Sequence, residues 1–392
     1  MGQAGYGMSF MVGWSAGQNI FFFALPIGFS IYIAIKHHIN LLDKKFMGIV
    51  LLFAVWQIGI CLKYSTLNVS YAFFTIYPLF VAYIMIKAYG KYLFIFYEDI
   101  ITKLSIISLF GWLILLIIPK VVNLLGASPE ESVNFYVFNI QAAKIWLTPI
   151  RNSGFSWEPG RFASLVVVAI LFNLYRTNFS VKSSNKNFYI LLIALITTFS
   201  TTGYMSFFLG ILPLFLNKYR KYAVPLFLVF CSIAIYLYNS VDFLGEKIES
   251  LSDISTTETR LEEASQYIEE AIVPQRIDAA YLEALNIIND PILGYGKDVL
   301  NSHINKDFAA NIFLPNGHLK VFARYGILLG ALIFLWLFRA SKRIAKTFNN
   351  KRTYGFLIIM ILICMSYEWF GIPYITAFWL YGYFAPPKTQ FA

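Results

Sequence analysis

Long apolar runs, broken by short polar ones, dominate the chain. A helix needs about 20 apolar residues to cross the hydrocarbon of a bilayer. Runs near that length, some shorter, fall at 18–36, 46–62, 70–88, 103–119, 161–176, 188–201, 203–217, 222–240, 317–338, 353–370 and 372–385. They predict an all-α, polytopic bundle of about eleven or twelve transmembrane helices, with almost no connection at 201–203 and 370–372. Two polar stretches remain, 120–160 and 241–316. In the second, TTETRLEEASQYIEEA at 256–271 has helical charge spacing, and Pro274 suits the first turn of another helix. That helix carries Ile277, Tyr281, Leu285 and Ile288 on one stripe and ends in the turn residues DPILGYG at 290–296. The expected organisation is one membrane domain. It has helices over 1–240 with an external loop at 120–160, a large external helical segment at 241–316, and closing helices over 317–392.

Composition supports lipid as the solvent. Of 392 residues, 58% are hydrophobic and 13% charged, where a soluble domain carries roughly a quarter charged residues. The net charge of +10 raises nucleic acid as a partner, and its distribution argues against that. With the N-terminus outside, the inward loops collect Lys44, Lys45, Lys87, Lys91, Lys103, Arg176, Lys182, Lys218, Arg220, Arg339, Lys342 and Arg343, among others, against the acids Asp43, Glu98 and Asp99. Basic loops mark the cytoplasmic side, so the charge is a topology signal. Both polar stretches then face outward. The N-terminus lacks a basic region and a small-residue cleavage site, so the first apolar run is expected to stay as a span. Cys61, Cys231 and Cys364 lie in apolar runs, which leaves no disulfide framework and no zinc spacing.

No phosphate-cradling GxxxxGK, HExxH or GxSxG motif is present. Among carboxylates only Glu368 is expected inside a span, near its outer end, which argues against an ion-coupled transporter. Four outward-facing features carry candidate chemistry. RNSGFSWEPGRFAS at 151–164 gathers Arg151, Glu158, Arg161 and Trp157 where the external loop re-enters the membrane. An arginine fork there matches phosphate oxygens, though Arg and Trp also anchor helix ends at the interface. Arg276 starts the helix at 274–289, where it is either an anion ligand or a surface ion pair with Asp278 or Glu270. His318 caps the outer end of a span, as a base working near pH 7 or as a headgroup-level residue. Ser200, Thr201, Thr202 and Gly203 break an apolar stretch, as the wall of a wet vestibule or as a plain turn.

The RNSGFSWEPGRFA segment, the Thr-Thr-Gly break, RIDAAYLEALNIINDPILGYG in the external segment and GHLKVFARYGILLG follow one another in that order from about 150 onward. In this order and topology they resemble the superfamily of O-antigen ligases and Wzy-type polysaccharide polymerases, bacterial membrane glycosyltransferases. Ligases of that group typically follow the histidine with Asn, Ser or Gln, and here Leu319 follows His318. The resemblance implies a GT-C-like fold in the bacterial inner membrane, with the active site on the periplasmic side. It implies a donor glycan on undecaprenyl pyrophosphate, attacked by the hydroxyl of another lipid-linked repeat unit, with no nucleotide sugar, cofactor or metal. Arg161 and Arg276, with Arg151 in reserve, would hold the pyrophosphate. His318 would act as base, with Glu158 second, and Trp157 and Tyr204 would contact sugar. A chain-length regulator and a flippase are the expected partners. Ligation of finished glycan to lipid A core or protein, and flipping of lipid-linked sugar, are the rival functions.

Overall fold

The computed structural model describes residues 16–65, 69–118, 132–135, 138–141, 150–180 apart from 157, 185–221 apart from 220, 276–307, and 312–385 apart from 313, 315 and 368–371. The expected span at 222–240, the polar helix at 256–271, Trp157 and Glu368 lie outside the described residues. The described part is helical: α1 Ala16–Lys36, α2 Lys44–Tyr64, α3 Val69–Tyr89 and α4 Tyr92–Ile117. Then come α5 Pro159–Arg176, α6 Lys186–Thr197 and α7 Thr201–Met205, which runs through a wide turn at Ser206–Ile211 into α8 Leu212–Lys218. The last helices are α9 Arg276–Asn289, α10 His303–Asp307, α11 Gly317–Thr347, α12 Gly355–Cys364 and α13 Pro373–Phe384. The stretch at 120–160 adds a two-stranded antiparallel hairpin, β1 Ser132–Phe135 and β2 Phe138–Gln141, with Ser132 opposite Gln141.

The core is built around α5, in which every residue from Pro159 to Tyr175 is buried. α4, α6, α7 and α12 pack on α5, while α13 joins α3 to α11. Aromatic rings fill the middle. Phe94 stands 4.6 Å from Tyr381 and 4.9 Å from Phe172, and Tyr97 stands 5.0 Å from Phe378. Edge-to-face contacts of this kind add to the burial of the rings themselves.

The outer surface is apolar as well. On α2, Phe46, Ile49, Phe53, Trp56 and Ile60 face the core, while Met47, Leu51, Val55, Ile58 and Leu62 are exposed on the other side. α4 exposes Ile107, Phe110, Ile114 and Ile117 in the same way. A helix hydrophobic on all sides needs lipid or protein around it. α2, α4 and α11 are long and apolar enough to cross a membrane.

The structure corrects several expected boundaries. Residues 92–103 are the first turns of α4 and not an inward loop. Glu98 therefore lies inside a helix, 1% exposed. It is held by both arms of Arg176, at 2.8 and 2.6 Å, and by Asn173 at 2.7 Å. A buried carboxylate is tolerable only when paired and hydrogen-bonded in this way. Nearby, the Asp43 carboxylate caps α2 by accepting the backbone N–H of Lys45 at 2.8 Å. Burial raises its pKa, but that hydrogen bond and the Lys87 charge outweigh burial and hold it below the usual range.

The break between α6 and α7 falls at 198–200, with Phe199 at φ +46°, so Thr201, Thr202 and Gly203 are themselves helical. α12 stops at Cys364 instead of running on to 370.

α11 is interrupted at Gly326, whose φ is +76° and ψ 167°. An interrupted helix leaves carbonyls without donors, which is costly in a low dielectric. The 290–296 turn supplies them: Tyr295 N donates to Ala323 O at 2.9 Å and Gly296 N to Arg324 O at 3.1 Å. Ile327 N donates in return to Pro291 O at 2.8 Å. The approach is so close that a Cβ at Gly326 would collide with Ile292 O. α2 clasps the same turn. Trp56 Nε1 donates to Leu293 O at 2.9 Å, Tyr64 Oη donates to Asp290 at 2.9 Å, and Lys63 pairs with Asp290.

Candidate functional site

Three of the sequence segments singled out for chemistry meet at one place. The first is the start of α5. Glu158 is its N-cap in extended conformation (φ −138°, ψ 136°), and Pro159 fills the first helical position. The Glu158 side chain makes no capping hydrogen bond. Arg161 follows, 8% exposed, within electrostatic reach of Tyr374 at the start of α13.

The second is the start of α7. Ser200 Oγ caps it by accepting Gly203 N at 3.2 Å. A Cβ at Gly160 would fall 3.3 Å from Ser200 Oγ, and one at Gly203 would fall 2.5 Å from Ala163 Cβ, so the starts of α5 and α7 touch.

The third is the start of α11. Asn316 is its N-cap and accepts Leu319 N at 3.2 Å. His318 is its second residue, and the buried Nδ1 of His318 has no hydrogen-bond partner among the described residues. Lys320 is 2% exposed and donates to Leu314 O at 3.2 Å.

What joins them is the segment after α12. Tyr367 lies against Gly160 through its hydroxyl and against Gly317 through its backbone carbonyl. Ser366 shares a buried hydrogen bond with Thr202 Oγ1 at 2.8 Å. The N-terminal ends of α5, α7 and α11 thus gather around residues 364–367. Each such end carries the positive pole of its helix. With the Arg161 guanidinium among them, the arrangement is suited to an anion, phosphate above all. Among the described residues no group of three His, Cys, Asp or Glu lies together as a metal site would require.

Two candidates have other work. Arg151 Nε donates to Thr198 O at 3.1 Å, and Tyr204 Oη donates to Ile196 O at 2.6 Å. Both satisfy carbonyls at the end of α6, which has no following helical turn to do so. Asn152 braces the same corner by donating to Thr197 Oγ1 at 3.0 Å and Ser108 Oγ at 3.3 Å. Arg276 is the first residue of α9. α9 packs on α11, so the helices carrying Arg276 and His318 are coupled.

Ser366 and Tyr367 were not singled out in the sequence. Both sit in the apolar run at 353–370 and read as the end of a span. The only signal was that Ser, Tyr and Glu interrupt that run just ahead of Pro373. No protein-family profile, no curated protein and no solved structure matches this chain.

Proposed function

We propose that the chain is a multi-pass membrane glycosyltransferase of the inner membrane that polymerises oligosaccharide repeats carried on a lipid pyrophosphate, at its outer face. The observation that carries the reading is the gathering of the Arg161, Ser200–Thr202 and His318 segments around Tyr367. These segments are far apart in sequence and are three of the four on which the resemblance to Wzy-type polymerases and O-antigen ligases rests.

In the proposed reaction an acceptor hydroxyl attacks the anomeric carbon of the donor glycan. A new C–O bond forms, and the bond from the anomeric carbon to the pyrophosphate oxygen breaks. The electron pair leaves with the lipid pyrophosphate, and the hydroxyl proton passes to a base. Arg161 and the three helix ends stabilise the charge that grows on the leaving group. Arg276 is the second pyrophosphate ligand on this reading. The unpartnered Nδ1 of His318 suits it to the role of base, and Glu158, whose carboxylate is not used as a cap, is the alternative.

The test is purified protein with a synthetic undecaprenyl-pyrophosphate-linked repeat unit, read by gel and mass spectrometry. A ladder of products is expected. Transfer only to added lipid A core would make the protein a ligase, and no turnover with either acceptor would overturn the glycosyltransferase reading.

A further inference from the structure

α9 is turned the wrong way for a helix in water. Tyr281 is 49% exposed and Ile288 72% exposed, and Ile292 just beyond the helix is 72% exposed. Leu285 lies between them on the same stripe, half-buried. The opposite face holds polar groups, yet that face packs on protein: Glu283 and Asn286 are both buried. Asn286 Oδ1 accepts Ile304 N at 3.2 Å, and Ala279 and Leu282 form a small apolar cluster with Ile304, Ile312 and Leu314, against which Leu285 packs with part of its side chain. A solvated helix points its apolar stripe at the protein and its polar face at water. α9 instead exposes Tyr281 and Ile288, about 10 Å apart at 1.5 Å per residue, and turns Glu283 and Asn286 inward.

The surroundings say what covers this stripe. Pro291 O is hydrogen-bonded to Ile327 N of α11, a helix long and apolar enough to span the membrane. Directly there, Ile327 and Leu328 are exposed, at 46% and 76%. Ile292, at the end of the α9 stripe, therefore lies beside the exposed apolar residues Ile327 and Leu328 of α11. The turn between them is held by Trp56, Lys63 and Tyr64 at the end of α2, the residue types that gather at membrane–water interfaces.

We propose that α9 lies in the boundary between headgroups and acyl chains of the outer leaflet, with Tyr281, Ile288 and Ile292 inserted among the lipid chains. An amphipathic helix lying in the membrane plane is a stable arrangement. Its polar face then turns toward the protein, and its first residue, Arg276, sits at the depth of lipid headgroups. The inference needs the protein to be in a membrane and does not depend on glycosyl transfer.

The experiment is spin-label accessibility in proteoliposomes, with Cys61, Cys231 and Cys364 replaced by alanine. Single labels are placed through Ile288→Cys and Ile292→Cys. Leu328→Cys serves as the lipid reference and Lys351→Cys as the aqueous one. Collision with oxygen and with a water-soluble nickel complex, present on both sides of the membrane, is compared at each site. At 288 and 292 the oxygen-to-nickel ratio should rise to that of 328. A ratio like that of 351 would put the stripe in water and overturn the proposal. Low collision with both reagents would overturn it too, by showing that protein covers the stripe, residues 241–275 of the chain or a partner. The labelled side chains are exposed, so folding is not at issue, and an unchanged elution volume on gel filtration checks it.

Discussion

Arg161 and Gly326 show how much rests on single positions. Arg161 is almost fully buried beside helix ends that share its sign of charge, a position that only ion pairing or hydrogen bonding can offset. Gly326 is fixed by backbone geometry alone. Its φ of +76° disfavours any side chain, and a Cβ would strike Ile292 O. Gly326→Ala should therefore cost at least about 1–3 kcal/mol, the usual range for a strained residue. Heat-induced unfolding in detergent would show a lowered midpoint. An unchanged midpoint would mean that the turn at 290–296 is not docked on α11 as described. Neither demand is visible in the sequence: Gly326 stands in an ordinary apolar run, and Arg161 reads equally well as an interfacial anchor. Ser366 and Tyr367 were missed for the same reason. Their importance comes from what they touch, far away in the chain.

At the scale of elements, the joint between α2 and the 290–296 turn is the clearest device. Asp290 receives the Lys63 ammonium on one oxygen and the Tyr64 hydroxyl on the other, and Lys63 also reaches Gly294 O at 3.3 Å. Asp290→Ala removes both acceptors at once. Lys63→Ala leaves the tyrosine bond in place. We expect Asp290→Ala to lower stability by about 1–3 kcal/mol, and Lys63→Ala by less, because the ammonium is partly solvated. Thermal unfolding of both variants in the same detergent would test the order. Equal or reversed effects would contradict the joint.

Element periodicity was legible. The stripe of Tyr281, Leu285 and Ile288 was plain in the sequence, as were α2 and α3 to within a few residues. What covers a stripe is not legible, because periodicity gives a direction on a helix and no partner. Glu98 was misplaced because charged residues lower hydropathy and look like a loop, while the charge is neutralised by Arg176 from a segment 78 positions on.

For the molecule as a whole, composition and apolar runs were enough to indicate a helical protein built for a membrane. The structure bears this out with apolar helices inside and out, plus one small hairpin. The convergence of α5, α7 and α11 was foreshadowed only by motif order, since topology on paper puts helix ends on one side without saying which ones touch. If these ends form one anion site, Arg161 and His318 act on the same reaction in different ways. The most direct measurement is turnover of a lipid-pyrophosphate-linked repeat unit by wild type, Arg161→Ala and His318→Ala, each first shown to be folded by its unfolding midpoint. Arg161→Ala should lose about 100-fold or more in kcat, the scale expected when a charge-stabilising donor is removed. His318→Ala should lose about 100-fold, with the pH dependence of the rate altered, as for a general base. Folded variants that turn over at the wild-type rate would contradict a reaction centred on these helix ends.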